Sequence, residues 1–397
     1  MVAIRKGAFM NQAVIYGAGN IGRGFIGQLF SASGYDISFI DVNTDVIDRL
    51  NRDKQYNIYV THGDNYKIHT VANLHGINGH DSSAIAEAIA SADIMATSVG
   101  VNILKYIAEP VALGIKRRKE KGVHTPLNII VCENMIEADR YFASFIKEHL
   151  DGDESAYFDE HIGLVEPSIG RMVPVTPQEI AVIDPLAVCV EEYCELPVDR
   201  AAFKGDIPEI CNMVPFSPFD FYIHRKLYMH NMSHALTAYL GNLKGYEYIW
   251  QANGDYDIRS VARDALEEIS WAMAKEYKVS YSELEIFSYD LILRYDNKLL
   301  GDTIARVGKD TKRKLSENDR FVGAIRLCMK HGIIPTNIIK GFAAGFLFCP
   351  EGDAPSLEVF TYLRQHGIVA TLEKYCGIVD KTLISLIENE YLQLTSQ

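Results

Sequence analysis

A short segment in the second half of the chain carries three side-chain types suited to proton transfer. Lys226, Asn231 and His234 lie within the run Lys-Leu-Tyr-Met-His-Asn-Met-Ser-His. In an α-helix, about 100° of rotation per residue places them at about 0°, 140° and 80°, on one side of the helix. A lysine base with an asparagine anion clamp is one interpretation, and a helix of ordinary polar residues is another.

Two further interpretations use neighbouring residues. His230 and His234 are four apart, which suits two metal ligands on one helix face, but the glutamate of H-E-x-x-H is missing and no third ligand is evident. Tyr222 precedes Lys226 by four residues, the Tyr-x-x-x-Lys pair of short-chain dehydrogenases, which use a different glycine pattern. The segment alone leaves all four interpretations open.

A glycine-rich turn near the start of the chain indicates dinucleotide binding. Residues 12–16 form an apolar run typical of a buried strand, and 22–33 have the pattern of a helix. In the G-x-G-x-x-G between them, Gly17 makes the tight turn and Gly19 lets a pyrophosphate approach the backbone. Gly22 allows close packing of helix on strand, and the helix N-terminus faces the phosphates.

The end of the next predicted strand selects the cofactor. Asp41 follows the strand at 37–40 and lies 19 residues after Gly22. A carboxylate there accepts hydrogen bonds from the ribose hydroxyls and repels a 2′-phosphate, so NAD is favoured over NADP. Gly100 follows another strand, 94–99, whose end we expect to face the same crevice. The predicted cofactor-binding residues are Gly17, Gly19, Asn20, Ile21, Gly22, Asp41, Val99 and Gly100.

The order of elements predicts the fold class. Strands and helices alternate up to residue 150, interrupted by a hairpin around residues 62–64, which favours an α/β, Rossmann-type doubly wound parallel sheet. Short strands are predicted next, at 163–166, 172–175, 180–183 and 187–191. The pattern then becomes mostly helical. We predict an NAD-binding Rossmann-type domain at 1–218 and an α-helical substrate and catalytic domain at 219–397, with substrate held between them.

Composition narrows the class of partner. The net charge of −13 disfavours nucleic acid and anionic membranes as partners. The seven cysteines are odd in number and include no C-x-x-C pair, so we expect reduced thiols in a cytoplasmic protein without structural zinc. No run of about 18 apolar residues is present, which predicts no membrane span. Residues 1–10 are interpreted as a short extension, without the character of a signal peptide.

Taken together, these segments resemble the polyol-specific long-chain dehydrogenases, the mannitol dehydrogenase family. The resemblance covers nearly the whole chain. Its segments are the glycine turn at 17–27, Thr97 to Gly100, Pro126 to Met135, Lys226 to Ala235, and Arg306 to Leu315.

The resemblance implies metal-independent oxidation of a sugar alcohol with NAD, with D-mannitol 1-phosphate going to D-fructose 6-phosphate. It implies Lys226 as general base, Asn134 and Asn231 as amide donors to the developing alkoxide or carbonyl oxygen, and His234 as an orienting group. To act near neutral pH, the base must lower its pKa by roughly 3 from about 10.4. Two ordinary alternatives are Asn134 as a helix N-cap before Ile136 and His234 as a core histidine.

A phosphorylated substrate needs cationic donors. The resemblance and the charge of these side chains nominate Arg171, Arg225, Arg306 and Lys314. The chain departs from the family pattern at Gly170, where aspartate is usual, and at Lys298, where proline is common. These departures leave an unphosphorylated polyol or a hexuronate as alternative substrates, and a catalytically silent NAD-binding regulator is the alternative from another class. We expect a monomer or a weak dimer.

Overall fold

The structure, a computed structural model, describes residues 10–396. The extension predicted at residues 1–10 lies, apart from Met10, outside the described residues. The chain divides into two compact units after Asp220, and each is described by itself. Within residues 10–396, none of the helices has the length and apolar character needed to cross a membrane.

Strands of the first unit form one large sheet and two small ones. The large sheet has the order β5-β2-β1-β6-β7-β8, with all neighbours parallel. Counted along the chain this is the order 3-2-1-4-5-6 of dinucleotide-binding domains, so the predicted fold class is confirmed. The strands are β1 (Gln12–Tyr16), β2 (Asp36–Asp41), β3 (Gln55–His62), β4 (Asn65–Ala72), β5 (Leu74–Asn78), β6 (Ile94–Thr97), β7 (Leu127–Val131), β8 (Ile162–Val165), β9 (Val188–Val190), β10 (Leu196–Asp199) and β11 (Met213–Phe216).

The large sheet is buried on both faces. Along β1, Ala13 and Ile15 belong to one apolar cluster, and Val14 and Tyr16 belong to another. This alternation is the mark of a parallel sheet covered on both sides. The α-helices of this unit are α1 (Gly27–Ala32), α2 (Thr44–Asp53), α3 (Ser82–Ser91), α4 (Leu104–Glu120), α5 (Ala138–Lys147), α6 (Gly152–His161) and α7 (Gln178–Ile183).

Strand register brings four predicted site segments to one edge. Tyr16 pairs with Ile40 on one side and Thr97 on the other, and Thr97 also pairs with Val131. The carboxyl ends of β1, β2, β6 and β7 are therefore level. At this edge the strand order reverses between β1 and β6, which is the crevice where open α/β sheets bind ligands.

Two of the predicted short strands are wrong. Residues 172–175 form no regular element. Pro174 has no N–H for a sheet ladder, and Met172 is instead bonded through its N–H to the Glu191 carboxylate at 2.5 Å. Residues 180–183 belong to helix α7, whose first turn is closed by the Ile180 N–H bonding the Pro177 carbonyl at 3.0 Å. Proline at a helix start fixes φ and begins the turn.

The second unit is helical in every described regular element, as predicted. Helix α9 lies at its centre, where α10, α11, α13 and α16 pack against it. The α-helices are α8 (Asp220–His224), α9 (Met232–Leu243), α10 (Ile249–Gly254), α11 (Tyr256–Tyr277), α12 (Tyr281–Tyr295), α13 (Ile304–Gly308), α14 (Thr311–Lys314), α15 (Arg320–Lys330), α16 (Thr336–Gly345), α17 (Ala354–Cys376) and α18 (Lys381–Thr395).

Among the residues that the structure describes, each unit contains one π-helical segment, and both occur at predicted functional positions. Gly22–Ile26 follows the glycine turn and runs into α1, while Arg225–Asn231 joins α8 to α9. In a π-helix each N–H bonds the carbonyl five residues back, a rare geometry that is common at functional sites. Sequence patterns of α-helical period did not predict either segment.

Candidate active site

The three glycines of the turn differ in how much space surrounds them. Gly17 has a φ of 105° and donates its N–H to the Ile40 carbonyl at 2.8 Å. A Cβ atom on Gly17 would lie 2.4 Å from the Ser98 carbonyl oxygen, and one on Gly22 would lie 2.0 Å from the Gly17 oxygen. No atom lies within 4 Å of the Cβ position of Gly19. Gly17 and Gly22 are thus needed for packing, whereas Gly19 leaves open space for a ligand.

The turn leads into a helix whose first residue is Asn20. First-turn N–H groups of a helix have no partner within the helix and favour anions. Asn20 is exposed and Ile21 is half-buried, so this helix start is accessible in part. Asp41 accepts the Ala18 N–H at 2.7 Å and the Asn43 N–H at 2.9 Å. The carboxylate therefore fixes the turn to β2, and its remaining lone pairs can accept ribose hydroxyls.

The loop after β6 is held by a residue that the sequence analysis missed. Glu133 accepts the Val99 N–H at 2.9 Å and the Gly100 N–H at 2.7 Å, one on each carboxylate oxygen. These two N–H groups are therefore not donors to a cofactor, and Val99 and Gly100 can contact one only through other atoms. Burial raises the pKa of Glu133 despite these hydrogen bonds. The one sequence signal was a carboxylate placed directly after an apolar strand.

Asn134 follows Glu133 in a loop that is fixed at both ends. Its side chain is exposed, and the N-cap of α5 is Glu137, so the alternative of Asn134 as an N-cap is wrong. The Glu137 N–H donates to the Glu166 carboxylate at 2.8 Å. Burial, with the charges of nearby acids, raises the pKa of Glu166 to about 7. The loop thus presents Asn134 from a constrained backbone.

The Lys226 segment does not have the α-helical geometry assumed above. Lys226 and Asn231 are five apart within the π-helical stretch, and in that geometry residues five apart are neighbours along the axis. The angle between Lys226 and Asn231 about the helix axis is therefore smaller than the one estimated for an α-helix. Lys226 and Asn231 are half-buried. Within residues 10–396, the Asn231 side-chain amide makes no hydrogen bond, which leaves its N–H donors available.

His234 is held in a fixed orientation. Its side chain is 14% exposed, and its ring stacks on Tyr295 with centroids 4.9 Å apart and an interplanar angle of 9°. Its Nε2 lies 3.3 Å from Oδ2 of Asp302. Burial, followed by the positive charges of Arg306 and Lys314, lowers the pKa of His234 well below its usual value. The imidazole is therefore neutral at physiological pH.

His230 lies beside His234, with ring centroids 6.0 Å apart. It is buried, and burial lowers its pKa well below the usual range. In the described part of the chain, no three His, Cys, Asp or Glu side chains are grouped as metal ligands would be.

Arg171, predicted to bind substrate, is used inside the first unit. Its guanidinium donates to the Glu191 carbonyl at 2.8 and 3.1 Å, to the Gly24 carbonyl at 3.0 Å and to the Gln28 side chain at 2.6 Å. The residue is only 5% exposed. Four of the five N–H donors thus already have protein acceptors, which leaves at most one for a substrate, and the substrate contact stays a prediction.

The other three predicted cations lie in the second unit. Arg225 is packed between aromatic rings, 4.4 Å from the Tyr222 centroid and 4.2 Å from that of Phe287. Arg306 forms an ion pair with Asp302. Lys314 is 6% exposed and donates to the Val307 carbonyl at 2.5 Å. Burial, with the charges of neighbouring arginines, lowers the pKa of Lys314 to about 7.

Known sequences resemble the chain along both units. Residues 11–212 match the family described as mannitol dehydrogenase Rossmann domain, and residues 219–378 match the mannitol dehydrogenase C-terminal domain. A mannitol-1-phosphate 5-dehydrogenase of Thermoanaerobacter pseudethanolicus is 37% identical over 97% of this chain and 98% of its own. One of Caldanaerobacter subterraneus subsp. tengcongensis is 35% identical over 97% and 99%.

Solved structures share the fold at low sequence identity. A D-sorbitol dehydrogenase in substrate-free form matches with a TM-score of 0.81 at 14% identity, covering 97% of this chain and 93% of the other. Pseudomonas fluorescens mannitol 2-dehydrogenase, in a ternary complex with NAD and D-mannitol, matches with a TM-score of 0.68 at 13% identity, covering 97% and 92%. With a family match over both units and relatives above one-third identity, the chain belongs to the mannitol dehydrogenase family of oxidoreductases.

Proposed function

We propose that this chain interconverts D-mannitol 1-phosphate and D-fructose 6-phosphate, with NAD as the hydride carrier and Lys226 as the proton carrier. Membership of the family makes the chain an NAD-dependent polyol dehydrogenase. The proposal adds the phosphorylated substrate, the lysine base and the roles of single residues. The observation that carries the substrate is the concentration of positive charge around His234.

Four cations influence that imidazole. Arg306, Lys314, Arg294 and Arg320 all act to lower the pKa of His234. Arg306 and Arg320 already face the carboxylates of Asp302 and Asp319, whereas buried Lys314 donates to a backbone carbonyl. A buried cation is costly unless an anion accompanies it. A neutral polyol needs no such field, whereas a phosphate ester brings about two negative charges at pH 7. The names of the relatives, both mannitol-1-phosphate 5-dehydrogenases, support the same substrate.

The first unit fits NAD. Gly19 leaves open space at the turn, the helix beginning at Asn20 offers unpaired N–H groups, and Asp41 lies at the end of β2. Asp41 disfavours a 2′-phosphate, which supports NAD over NADP. Bound NAD would accept the hydride that leaves the carbinol carbon.

In the proposed oxidation, Lys226 accepts the hydroxyl proton as the C–H bond gives up its hydride, leaving a ketone. The amide N–H groups of Asn134 and Asn231 donate to the oxygen while negative charge develops on it. Asn231 suits this role because its amide has no partner in the described residues. Neutral His234 orients the substrate, and Arg306 and Lys314 bind the phosphate.

The substrate is tested by measuring NADH oxidation with fructose 6-phosphate, fructose and tagaturonate at equal concentrations. We expect activity with fructose 6-phosphate that exceeds the other two by about 100-fold or more, since each charge-assisted phosphate contact contributes about 1.5–3 kcal/mol. Preference for fructose or tagaturonate would refute the phosphate claim.

The base is tested by Lys226→Ala. We expect turnover to fall by at least about 100-fold, as when a general base is removed, with NADH binding unchanged. Lys275→Ala, at an exposed lysine of α11, is the matched control and should keep full activity. Wild-type protein that binds NADH but reduces no ketose would favour a silent regulator instead.

A further inference from the structure

A buried carboxylate that the proposed chemistry leaves unused lies against His234. Asp302 is 6% exposed, and its Oδ2 lies 3.3 Å from His234 Nε2. Its other carboxylate oxygen contacts the Arg306 guanidinium. Neither Asp302 Oδ2 nor His234 Nε2 has a hydrogen-bond partner with full geometry among the described residues, and the two atoms lie within ion-pair distance of each other.

The backbone around Asp302 fixes this approach. The Asp302 carbonyl accepts the Ile249 N–H at 2.9 Å, and the next residue, Thr303, forms a bridge with Tyr248. Thr303 also caps α13 by accepting the Arg306 N–H at 3.2 Å. Asp302 is therefore anchored on both sides, and the pairing with Arg306 follows from its position one turn before that arginine.

The imidazole is equally restrained. Its ring lies flat on Tyr295, whose hydroxyl donates to the His230 carbonyl at 3.0 Å and lies 2.9 Å from the Ser233 hydroxyl. The same aromatic ring thus supports the π-helical segment and His234. A 180° flip of the ring in this plane would exchange Nε2 with Cε1 and remove the contact with Asp302.

We propose that Asp302 is a positioning residue that sets the tautomer of His234, with the proton on Nε2 and the lone pair on Nδ1. A carboxylate can only accept hydrogen bonds, so its contact with Nε2 is favourable when that nitrogen carries a hydrogen. In a neutral imidazole the other nitrogen is then an acceptor. Nδ1 is thereby prepared to accept a hydrogen bond from a hydroxyl of the polyol.

This inference rests on the proposed function and deepens it, since it makes His234 an acceptor of hydrogen bonds from substrate hydroxyl groups. The Asp302 carboxylate also contacts Arg306, which we assign to phosphate binding, so it lies between the imidazole and that cation. A carboxylate that served only to balance Arg306 would affect stability and phosphate binding, and would leave the histidine tautomer unchanged. The two possibilities therefore differ in a measurable way.

The first test needs no activity. The wild type and the Asp302→Asn variant are both labelled with ¹⁵N-histidine and compared by NMR. The spectrum of a labelled His234→Gln variant identifies the signal of His234. We expect His234 in the wild type to show a protonated Nε2 and an unprotonated Nδ1, and Asp302→Asn to change this pattern. A wild-type imidazole protonated on Nδ1, or a pattern that is the same in both proteins, overturns the proposal.

The second test is a double-mutant cycle on kcat/KM with Asp302→Asn, His234→Ala and the double variant. Removing a carboxylate that orients a functional histidine typically costs about 10- to 100-fold. We expect that loss in the wild-type background and less than about threefold in the His234→Ala background, because coupled residues are not additive. Equal losses in both backgrounds overturn the proposal.

A matched control comes from elsewhere in the same unit. Glu276 contacts His331 Nε2 at 2.7 Å, a similar carboxylate–imidazole pair. Glu276→Gln should leave kcat/KM unchanged. Circular dichroism and NADH binding establish that Asp302→Asn is folded, and Asp302→Glu replaces it in the cycle if it is not. If the wild type reduces no ketose phosphate, the proposed function fails while the NMR test still decides the tautomer.

Discussion

Lys314 should make recognition of the phosphate depend on pH near neutrality. The side chain is 6% exposed. Burial, followed by the charges of Arg320 and Arg313, lowers its pKa from 10.5 to about 7. The ammonium form, which attracts phosphate, is therefore lost as pH rises through 7, whereas an ordinary lysine would keep its charge to above pH 10.

The size of the effect follows from this pKa. If only the ammonium form binds phosphate, KM rises by the factor 1 + 10^(pH − 7), which is 2 at pH 7 and about 100 at pH 9. KM for fructose 6-phosphate should thus rise about fiftyfold over this range. The phosphate itself contributes little, because its second pKa is about 6.

The assay compares kcat/KM for fructose 6-phosphate and for fructose at several values between pH 7 and pH 9. The ratio cancels the titration of groups that act on both substrates, such as Lys226. We expect it to fall steeply in the wild type, and to be flat in Lys314→Arg, which keeps its charge, and in Lys314→Met, which has none. A ratio that is flat in the wild type, or falls equally in Lys314→Met, refutes the reasoning.

The same pKa predicts a change in stability that does not depend on substrate. The folded-state pKa of Lys314 lies below the unfolded value, so unfolding takes up a proton between about pH 7 and 10.5, and stability rises with pH. From pH 7 to pH 9 this group should add about 2 kcal/mol to the free energy of unfolding. Urea unfolding of the wild type relative to Lys314→Met should show the difference. An equal pH dependence in both would mean that Lys314 has an ordinary pKa.

Three further predictions concern the first unit. Gly22→Ala should prevent folding, because its Cβ would lie 2.0 Å from a carbonyl oxygen. Gly19→Ala should melt like the wild type but bind NADH at least about tenfold more weakly. An NADH affinity equal to that of the wild type would contradict the role assigned to Gly19. Asp41→Ser should reduce the preference for NADH over NADPH in fluorescence titrations, and an unchanged preference would exclude a ribose contact. Glu133→Gln turns an amide N–H toward a backbone N–H, so urea unfolding should show a loss of about 1–3 kcal/mol in the free energy of unfolding. We also expect kcat to fall by more than this loss of stability explains. An unchanged kcat would show that the loop does not position Asn134.

Local sequence determined the elements whose pattern repeats over a few residues. The apolar run of β1, the glycine turn and Asp41 at the end of β2 all lie within residues 12–41, and together they specified a dinucleotide-binding unit. The helical second unit followed from the scarcity of β-branched alternation after residue 222. Motif spacing also nominated Lys226, Asn231 and His234 because they are neighbours along the chain.

The secondary structure of short segments was predicted wrongly where tertiary packing overrides the local sequence pattern. Residues 180–183 are rich in residues that favour strands but form a helix after Pro177. Strand β5, Leu74–Asn78, was not predicted, although it completes the sheet order. A strand needs a partner edge, and a segment of four or five residues does not contain that information.

The sequence by itself determined which residue types and which supersecondary units this protein has, because a hydrophobic period or a glycine turn acts over distances that the chain encodes locally. Only the tertiary structure decided which polar groups are already paired. It gave the guanidinium of Arg171 to backbone carbonyls, the N–H groups of the loop after β6 to Glu133, and the carboxylate of Asp302 to the guanidinium of Arg306. The physical reason is that hydrogen bonding and burial depend on partners remote in the chain, and those partners are chosen only when the units fold.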